Sequence, residues 1–450
     1  MTQNLQLRFP VAKLAAVCSG LCTGMFINFG AHAQSLQQLY LSAQDYDASY
    51  QSARQLADAT IARGEQARAG ILPSVNLGLS ANQVNQTSSY SAYDARNFSN
   101  QTAAITATQP LYRPGNWSAY EQGNKQITLA QAQLLAAQQD LMVRVSQAYF
   151  DVLAATDSLE VVRSQKAAIV EQLSSAKRNF EVGTATIVDT RDAQARYDLS
   201  VAQELAAEND LRVKSLALDQ LVGKSPTRPN PLQLPLKLAE IQPATLDPWV
   251  ELSQSHNPQL TQLQIALDIA KLETEKAQAV NYPTLDLVGS YSAANNNGTS
   301  QAPLSYSVNQ ASIGVVLNYP IYAGRSITNH VKETLALEDK ALSDLQAAQR
   351  NIAQATRSAY FGLQTARSQV SAYEAAEASS QSALDANVLG YQVGVKINID
   401  VLNAQSQLYD TKAKLSRARY DVLLGELKLR QASGVLQASD IETVNAQLKP

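Results

Sequence analysis

The sequence predicts a mainly helical chain with a membrane β-barrel portion, built from two copies of one unit in which a strand hairpin is followed by a long helical hairpin. Three observations predict it: a duplication, an alternating pattern in four short stretches, and heptads in the long stretches between them. The duplication is read from matched residues. Tyr149-Phe150 recurs 211 residues later as Tyr360-Phe361, Gly183 as Gly394, and Gly223 as Gly434. Asp189 with Ala193-Gln194 recurs as Asp400 with Ala404-Gln405, each followed by Tyr-Asp, at Tyr197-Asp198 and Tyr409-Asp410. Upstream the spacing is 210, since Pro73 falls on Pro283 and Pro110 on Pro320, so one residue was gained or lost between Pro320 and Tyr360. A unit of about two hundred residues is too long for a solenoid repeat and fits two copies of a module around a pseudo-symmetry axis.

The N-terminus reads as an export signal spanning 1–33. Arg8 and Lys13 make a basic start, Leu14 to Ile27 is a short apolar stretch, and Ala31-His32-Ala33 is a small-residue cleavage site that leaves Gln34 as the mature N-terminus. The apolar stretch is shorter than the roughly twenty residues a spanning helix needs. Cys18 and Cys22 both lie in this segment, and neither follows the small residue of a lipoprotein cleavage site. The mature chain is therefore expected to have no disulfide, no thiol chemistry and no lipid. Charged residues make up 17% of the chain and net charge is −3, against a typical charged share near 25%. With no basic stripe, nucleic acid is excluded as a partner.

The first repeat, 34–225, opens with an amphipathic stretch from Leu36 to Ala69. After Leu72-Pro73, Val75, Leu77 and Leu79 alternate with Ser74, Asn76, Gly78 and Ser80, the pattern of a strand with one apolar face. A polar loop from about Asn82 to Asn97 leads to a second strand, where Ile105, Ala107 and Leu111 alternate with Thr106, Thr108 and Pro110. The second repeat, 246–434, repeats the plan with Leu285, Leu287 and Tyr291, the loop Asn295-Asn296-Asn297-Gly298, then Ile313, Val315, Leu317, Tyr319 and Ile321. Between the repeats, Pro226, Pro229, Pro231, Pro235 and Pro243 mark a linker over 226–245, with Asp247-Pro248 and Asn257-Pro258 as cap-plus-proline helix starts. A tail, 435–450, follows the second repeat.

The apolar strand faces have no partner sheet in this chain, and four strands cannot close a membrane barrel, since the smallest have about eight. Several chains must contribute. Tyr112, Tyr282, Tyr291, Tyr306, Tyr319 and Tyr322 are expected to edge such a barrel as an aromatic girdle.

From about Trp117 to Glu181 proline is absent and glycine nearly so, so one helix on the order of 100 Å long is expected. Ile127, Leu134, Leu141, Ala148, Ala155, Val162 and Ile169 recur at intervals of seven. In the last long helix Val401, Leu408, Leu415, Val422 and Leu429 form one file, with Ala404, Thr411, Ala418, Gly425 and Ala432 three positions on. Large-next-to-small files let helices interlock as in coiled coils. The hairpin turns are expected at Val182-Gly183-Thr184 and Val393-Gly394-Val395, where glycine tolerates a left-handed backbone.

This duplicated plan, with Val182-Gly183, Asp189 and Asp192 to Asp198 in one copy and Gly390 to Gly394 and Asp400 to Gln405 in the other, resembles the TolC family of outer-membrane efflux and secretion ducts. The resemblance covers essentially the whole mature chain. It implies a homotrimer whose three chains supply a twelve-stranded barrel in outer-membrane lipid and a twelve-helix tunnel through the periplasm. It also implies a periplasmic adaptor (membrane fusion) protein and an energised inner-membrane transporter as partners, for efflux of small molecules or type I protein secretion.

By the same resemblance Asp189, Tyr391 and Lys396 match a periplasmic gate, and Asp400 and Asn403 match a constriction ring in which the family's second aspartate has become Asn403. Asp189 and Asp400 also suit the starts of helices, and Thr186 to Asp189 has the spacing of a capping box. Enzyme chemistry has little support. Of three histidines, His32 is in the export signal, and His256 and His330 lack second ligands or triad partners. No phosphate loop is present and no cofactor or metal is expected. The alternative, a periplasmic adaptor or coiled-coil scaffold without a pore, would have one hairpin in mid-chain and a lipoyl-like β-domain instead of paired strand and helix hairpins.

Overall fold

The computed structural model describes residues 34–87, 96–236, 240–298 and 304–449. The expected export segment, with Cys18, Cys22 and His32, lies outside the described residues, as do parts of both strand-hairpin loops. The elements run α1 (Leu36–Tyr46), α2 (Ala48–Ala67), β1 (Ser74–Gln86), β2 (Arg96–Tyr112), α3 (Pro114–Glu181) and α4 (Ile187–Val222). Then come α5 (Leu246–His256), α6 (Pro258–Ala279), β3 (Thr284–Asn296), β4 (Tyr306–Asn318), α7 (Ser326–Gln392), α8 (Asn398–Ala432) and α9 (Ala438–Asn445).

The first amphipathic stretch is two helices, because Asp47 interrupts it. Its carboxylate accepts from the Tyr50 amide at 2.7 Å, ending α1 and capping α2. The same carboxylate receives two bonds from the Arg144 guanidinium on α3, at 3.0 and 3.1 Å. Arg144 thereby holds the Asp47 carboxyl below the usual carboxylate range, against the opposing effect of burial. Removing it by Asp47→Ala is expected to cost about 1–3 kcal/mol. A depressed folded pKa places this stability above the ordinary aspartate pKa near ~4 and removes it as pH falls through the folded value. Thermal melting from neutral to acid pH checks it: the wild-type advantage over Asp47→Ala should shrink on acidification.

The four strands form one antiparallel sheet in the order β1-β2-β3-β4, so the two strand hairpins join through β2 and β3. The register sorts side chains into rows. Leu77, Ile105, Tyr291 and Ala311 share one face, and Asn76, Thr106, Ser290 and Ser312 the other. The alternation expected from the sequence therefore runs across all four strands. Val75, Leu77, Leu79, Ile313, Val315 and Leu317 are exposed along the two outer strands. In one chain the sheet is open, with β1 and β4 as free edges.

Three details differ from the sequence reading. The loop expected over 82–97 is shorter, because Asn82, Gln83 and Asn85 continue the ladder opposite Asn100, Ser99 and Asn97; backbone pairing extends past the apolar band whatever the side chains. A bulge between Pro110 and Tyr112 places Tyr112, in place of Leu111, opposite Leu285, as suits a proline with no amide to give the ladder. Tyr291 pairs with Ile105 in mid-strand and is not at a rim. Where β2 turns into α3, Arg113 grips Asp286 of β3 through two bonds, 2.7 and 2.5 Å long.

α3 has 68 residues and α7 has 67, about 100 Å each at 1.5 Å per residue. The file Val401, Leu408, Leu415, Val422 and Leu429 is buried throughout; in α3 the file is buried at Leu141, Ala155 and Ile169 and only partly so between. The repeated Tyr-Phe pair does one job twice. Tyr149 donates to the Asn230 carbonyl at 3.0 Å, and Tyr360 to the Ala244 carbonyl at 2.6 Å, so each ties its long helix to one end of the linker region. Burial pushes the Tyr149 hydroxyl pKa up. The phenylalanines differ: Phe150 is buried and stacks on Tyr420 of α8 at 5.9 Å, whereas Phe361 is 52% exposed. Of the two expected cap-plus-proline starts, Asn257-Pro258 opens α6, but α5 is entered from Thr245, with Asp247 already in its first turn.

Candidate functional site at the helical hairpin tips

Both hairpin turns close in the same way. Gly183 and Gly394 have φ of +80° and +79°, which glycine adopts without strain. Thr184 N donates to the Asn179 carbonyl at 2.8 Å and Gly183 N to Phe180 at 3.0 Å; Val395 N donates to Gly390 at 2.8 Å and Gly394 N to Tyr391 at 3.1 Å. These are paired Schellman closures, which satisfy the last carbonyls of α3 and α7.

The two helix starts beyond the turns are unequal. Asp189 forms a full capping box: its carboxylate accepts from Thr186 N at 2.9 Å and from Thr186 Oγ1 at 2.7 Å, and its own amide donates to Thr186 Oγ1 at 3.3 Å. In the second copy Ile397 stands where Thr186 stands in the first, so no hydroxyl is available. Asp400 accepts only a long bond from Ile397 N, at 3.4 Å, and faces Lys396 Nζ at 3.7 Å. Lys396 in turn lies across Gly390, where a side chain would collide with its Cγ at 2.8 Å.

The gate residues expected from the resemblance sit on one small surface, but within one chain they do not bond one another. Asp189 is engaged by Thr186, Lys396 by Asp400, and the Tyr391 hydroxyl accepts from Asn179 Nδ2 of α3 at 3.1 Å. Asn403 accepts from Arg196 of α4 at 2.6 Å. Three participants went unread in the sequence: Asn179, Gln172 and Asn398. Asn398 is buried at the start of α8 and bonds both Gln172 and the Asp189 carbonyl. One signal was available, since the first copy has Ile187 at the position of Asn398, and a polar residue in one copy only marks a contact that the other lacks.

Chemistry beyond these contacts is sparse. His256 bonds its neighbour Ser255 at 2.7 Å and His330 lies 3.3 Å from Glu333. Among the described residues no group of three or more His, Cys, Asp or Glu is placed to hold a metal ion, and no helix is long and apolar enough to cross a membrane.

Comparison with known proteins agrees with this architecture. The family model described as outer membrane efflux protein matches residues 35–224 and 249–435. The outer membrane protein TolC of Vibrio cholerae is 34% identical over 93% of this chain and 94% of its own length. The alkaline protease secretion protein AprF of Pseudomonas aeruginosa is 30% identical over 92% of this chain and 88% of its own. Among solved structures, CusC superposes with a TM-score of 0.79 at 16% identity, covering 90% of this chain and 92% of CusC, and VceC of Vibrio cholerae with 0.76 at 18%, covering 89% and 96%. The chain therefore belongs to the outer membrane efflux protein family, the outer-membrane channels of efflux and secretion whose helices extend far into the periplasm.

Proposed function

We propose that three copies of this chain form a passive exit duct, a twelve-stranded barrel in the outer membrane continuing into a twelve-helix tunnel. The observation that carries this is a contact made once where the duplication calls for it twice. β2 of the first repeat pairs with β3 of the second, and α3 of the first packs along α8 of the second. The pseudo-equivalent contacts, β4 with β1 and α7 with α4, run from the second repeat back to the first. One chain cannot make them: β1 and β4 are opposite edges of the sheet, and α7 does not pack along α4. In this reading a neighbouring copy supplies them, and a head-to-tail contact of this kind generates a ring when its rotation closes. Phe361, exposed where Phe150 is buried, is then covered by the next chain. The count of three is what the family resemblance implies.

In this reading the duct has no energy source or enzymatic role of its own, needs no cofactor, and works with a periplasmic adaptor and an inner-membrane transporter. The exposed apolar rows of β1 and β4 speak against the adaptor or scaffold alternative, because a pore-free periplasmic protein has no use for lipid-facing strands. Purified protein is expected to require detergent and to sediment as a trimer, and to form discrete channels in a planar bilayer. Monomeric, detergent-independent sedimentation would overturn the proposal.

A further inference from the structure

The tips of the two helical hairpins of one chain are held together by side chains from opposite repeats, and the most enclosed polar one is Asn398. It is the first residue of α8 and only 1% exposed. Its Oδ1 accepts from Gln172 Nε2 on α3, and its Nδ2 donates to the main-chain carbonyl of Asp189 on α4 at 3.3 Å. One turn further on, Leu402 enters an apolar cluster with Ile169, Leu173, Ala176 and Ala193 of the first repeat. A buried carboxamide with both ends engaged is costly to pull away, because each separated partner is left desolvated and unpaired. The neighbouring Lys396–Asp400 pair is different: both side chains are at least a third exposed, and such pairs are weak and screened by salt. The Asn398 link is neutral and enclosed, so salt has little hold on it.

We propose that Asn398 is a positioning residue that clamps the tip of the second-repeat hairpin against the first-repeat hairpin of the same chain, and that its release is a step in widening the end of the duct. This rests on the reading of the chain as a gated duct. Ile187, which occupies the position of Asn398 in the first copy, has no groups for such bonds. The clamp therefore works once per chain and only between the two hairpins of that chain.

The test uses the full-length trimer in planar bilayers at roughly 0.15 M and roughly 1 M salt, where the screening length falls from about 8 to about 3 Å. Asn398→Leu keeps the branched shape of the side chain, though it is larger, and removes both bonds. It is expected to raise the fraction of time at the higher conductance level by about tenfold, the size of effect of losing such bonds, and equally at both salts. Gln172→Leu should do the same more weakly, and the double variant should add little to Asn398→Leu, since the two share one link. If Asn398→Leu does not assemble, Gln172→Leu carries the test alone. Variants that melt earlier yet gate like wild type would show a merely structural contact and overturn the inference while leaving the duct standing. A wild type that forms no channels would overturn the duct reading and this inference with it.

Discussion

Tyr391→Phe combined with Lys396→Ser is expected to raise single-channel conductance several-fold while the trimer stays intact. Neither residue belongs to the buried heptad file of α8, so the coiled-coil packing is untouched. What is removed is the Tyr391 hydroxyl that accepts from Asn179 at 3.1 Å, and the ammonium held near Asp400 at 3.7 Å. The first of these joins the end of α7 to α3. Each contact is worth only about 1 kcal/mol or less at an exposed tip, but in the proposed trimer threefold repetition would multiply the effect. Losing Lys396 also uncovers the Asp400 carboxylate, so the double variant should prefer cations more strongly than wild type. Asp400→Asn should shift selectivity the opposite way without widening the pore. Conductance and reversal potential in a planar bilayer measure both effects. A double variant that remains trimeric and conducts like wild type would mean that Tyr391 and Lys396 are not a latch, and the helix-capping reading of this turn would replace it.

Gly123→Val is expected to destabilise the protein by about 3 kcal/mol or more, through a close helix crossing just below the sheet. Where α2 passes α3, a Cβ on Gly123 would meet Ala67 Cβ at 2.6 Å and the Gly64 carbonyl oxygen at 2.8 Å. A Cβ on Gly64 would reach Ile127 Cγ1 at 2.5 Å and the Gly123 carbonyl oxygen at 2.7 Å. Helix propensity alone says the reverse, since replacing an interior glycine with alanine favours the helix by about 1 kcal/mol. The steric term wins because the obstacles include backbone atoms, which yield only if the two helices part. Gly115→Ala is the control. Its added methyl meets Lys276 Cγ at 3.8 Å and Ala279 Cβ at 3.9 Å, ordinary contact, so it should be neutral or mildly stabilising. Thermal melting of the detergent-solubilised protein separates the two, and a Gly123→Val variant as stable as wild type would refute the crossing.

Much of the fold was legible because it is written in local periods. Alternation over Val75, Leu77 and Leu79 specifies a one-faced strand, the seven-residue file from Val401 to Leu429 a buried helix seam, and Gly183 and Gly394 the left-handed turns. Thr186 with Asp189 was readable as a capping box because both bonding partners lie within one turn. The helix break at Asp47 was missed because the residue serves two helices at once and is anchored by Arg144, nearly a hundred positions away. At the candidate site, the resemblance selected Asp189, Tyr391, Lys396, Asp400 and Asn403 by position, but the cross-repeat partners, Asn179 for Tyr391 and Arg196 for Asn403, were out of reach of any local pattern.

By itself the sequence determined the element types, their order and their duplication, since helix and strand periods and turn glycines act over a few residues. Only the tertiary structure decided that the strand hairpins join through β2 and β3, that within one chain β4 does not pair with β1 and α7 does not pack along α4, and that Asn398 reaches Gln172 and Asp189. Asn398 and Gln172 stand 226 residues apart in the chain. Their meeting depends on how the 68-residue α3 and the 35-residue α8 are rotated and staggered against each other, a geometry set by the summed packing along their whole length and written in no single segment.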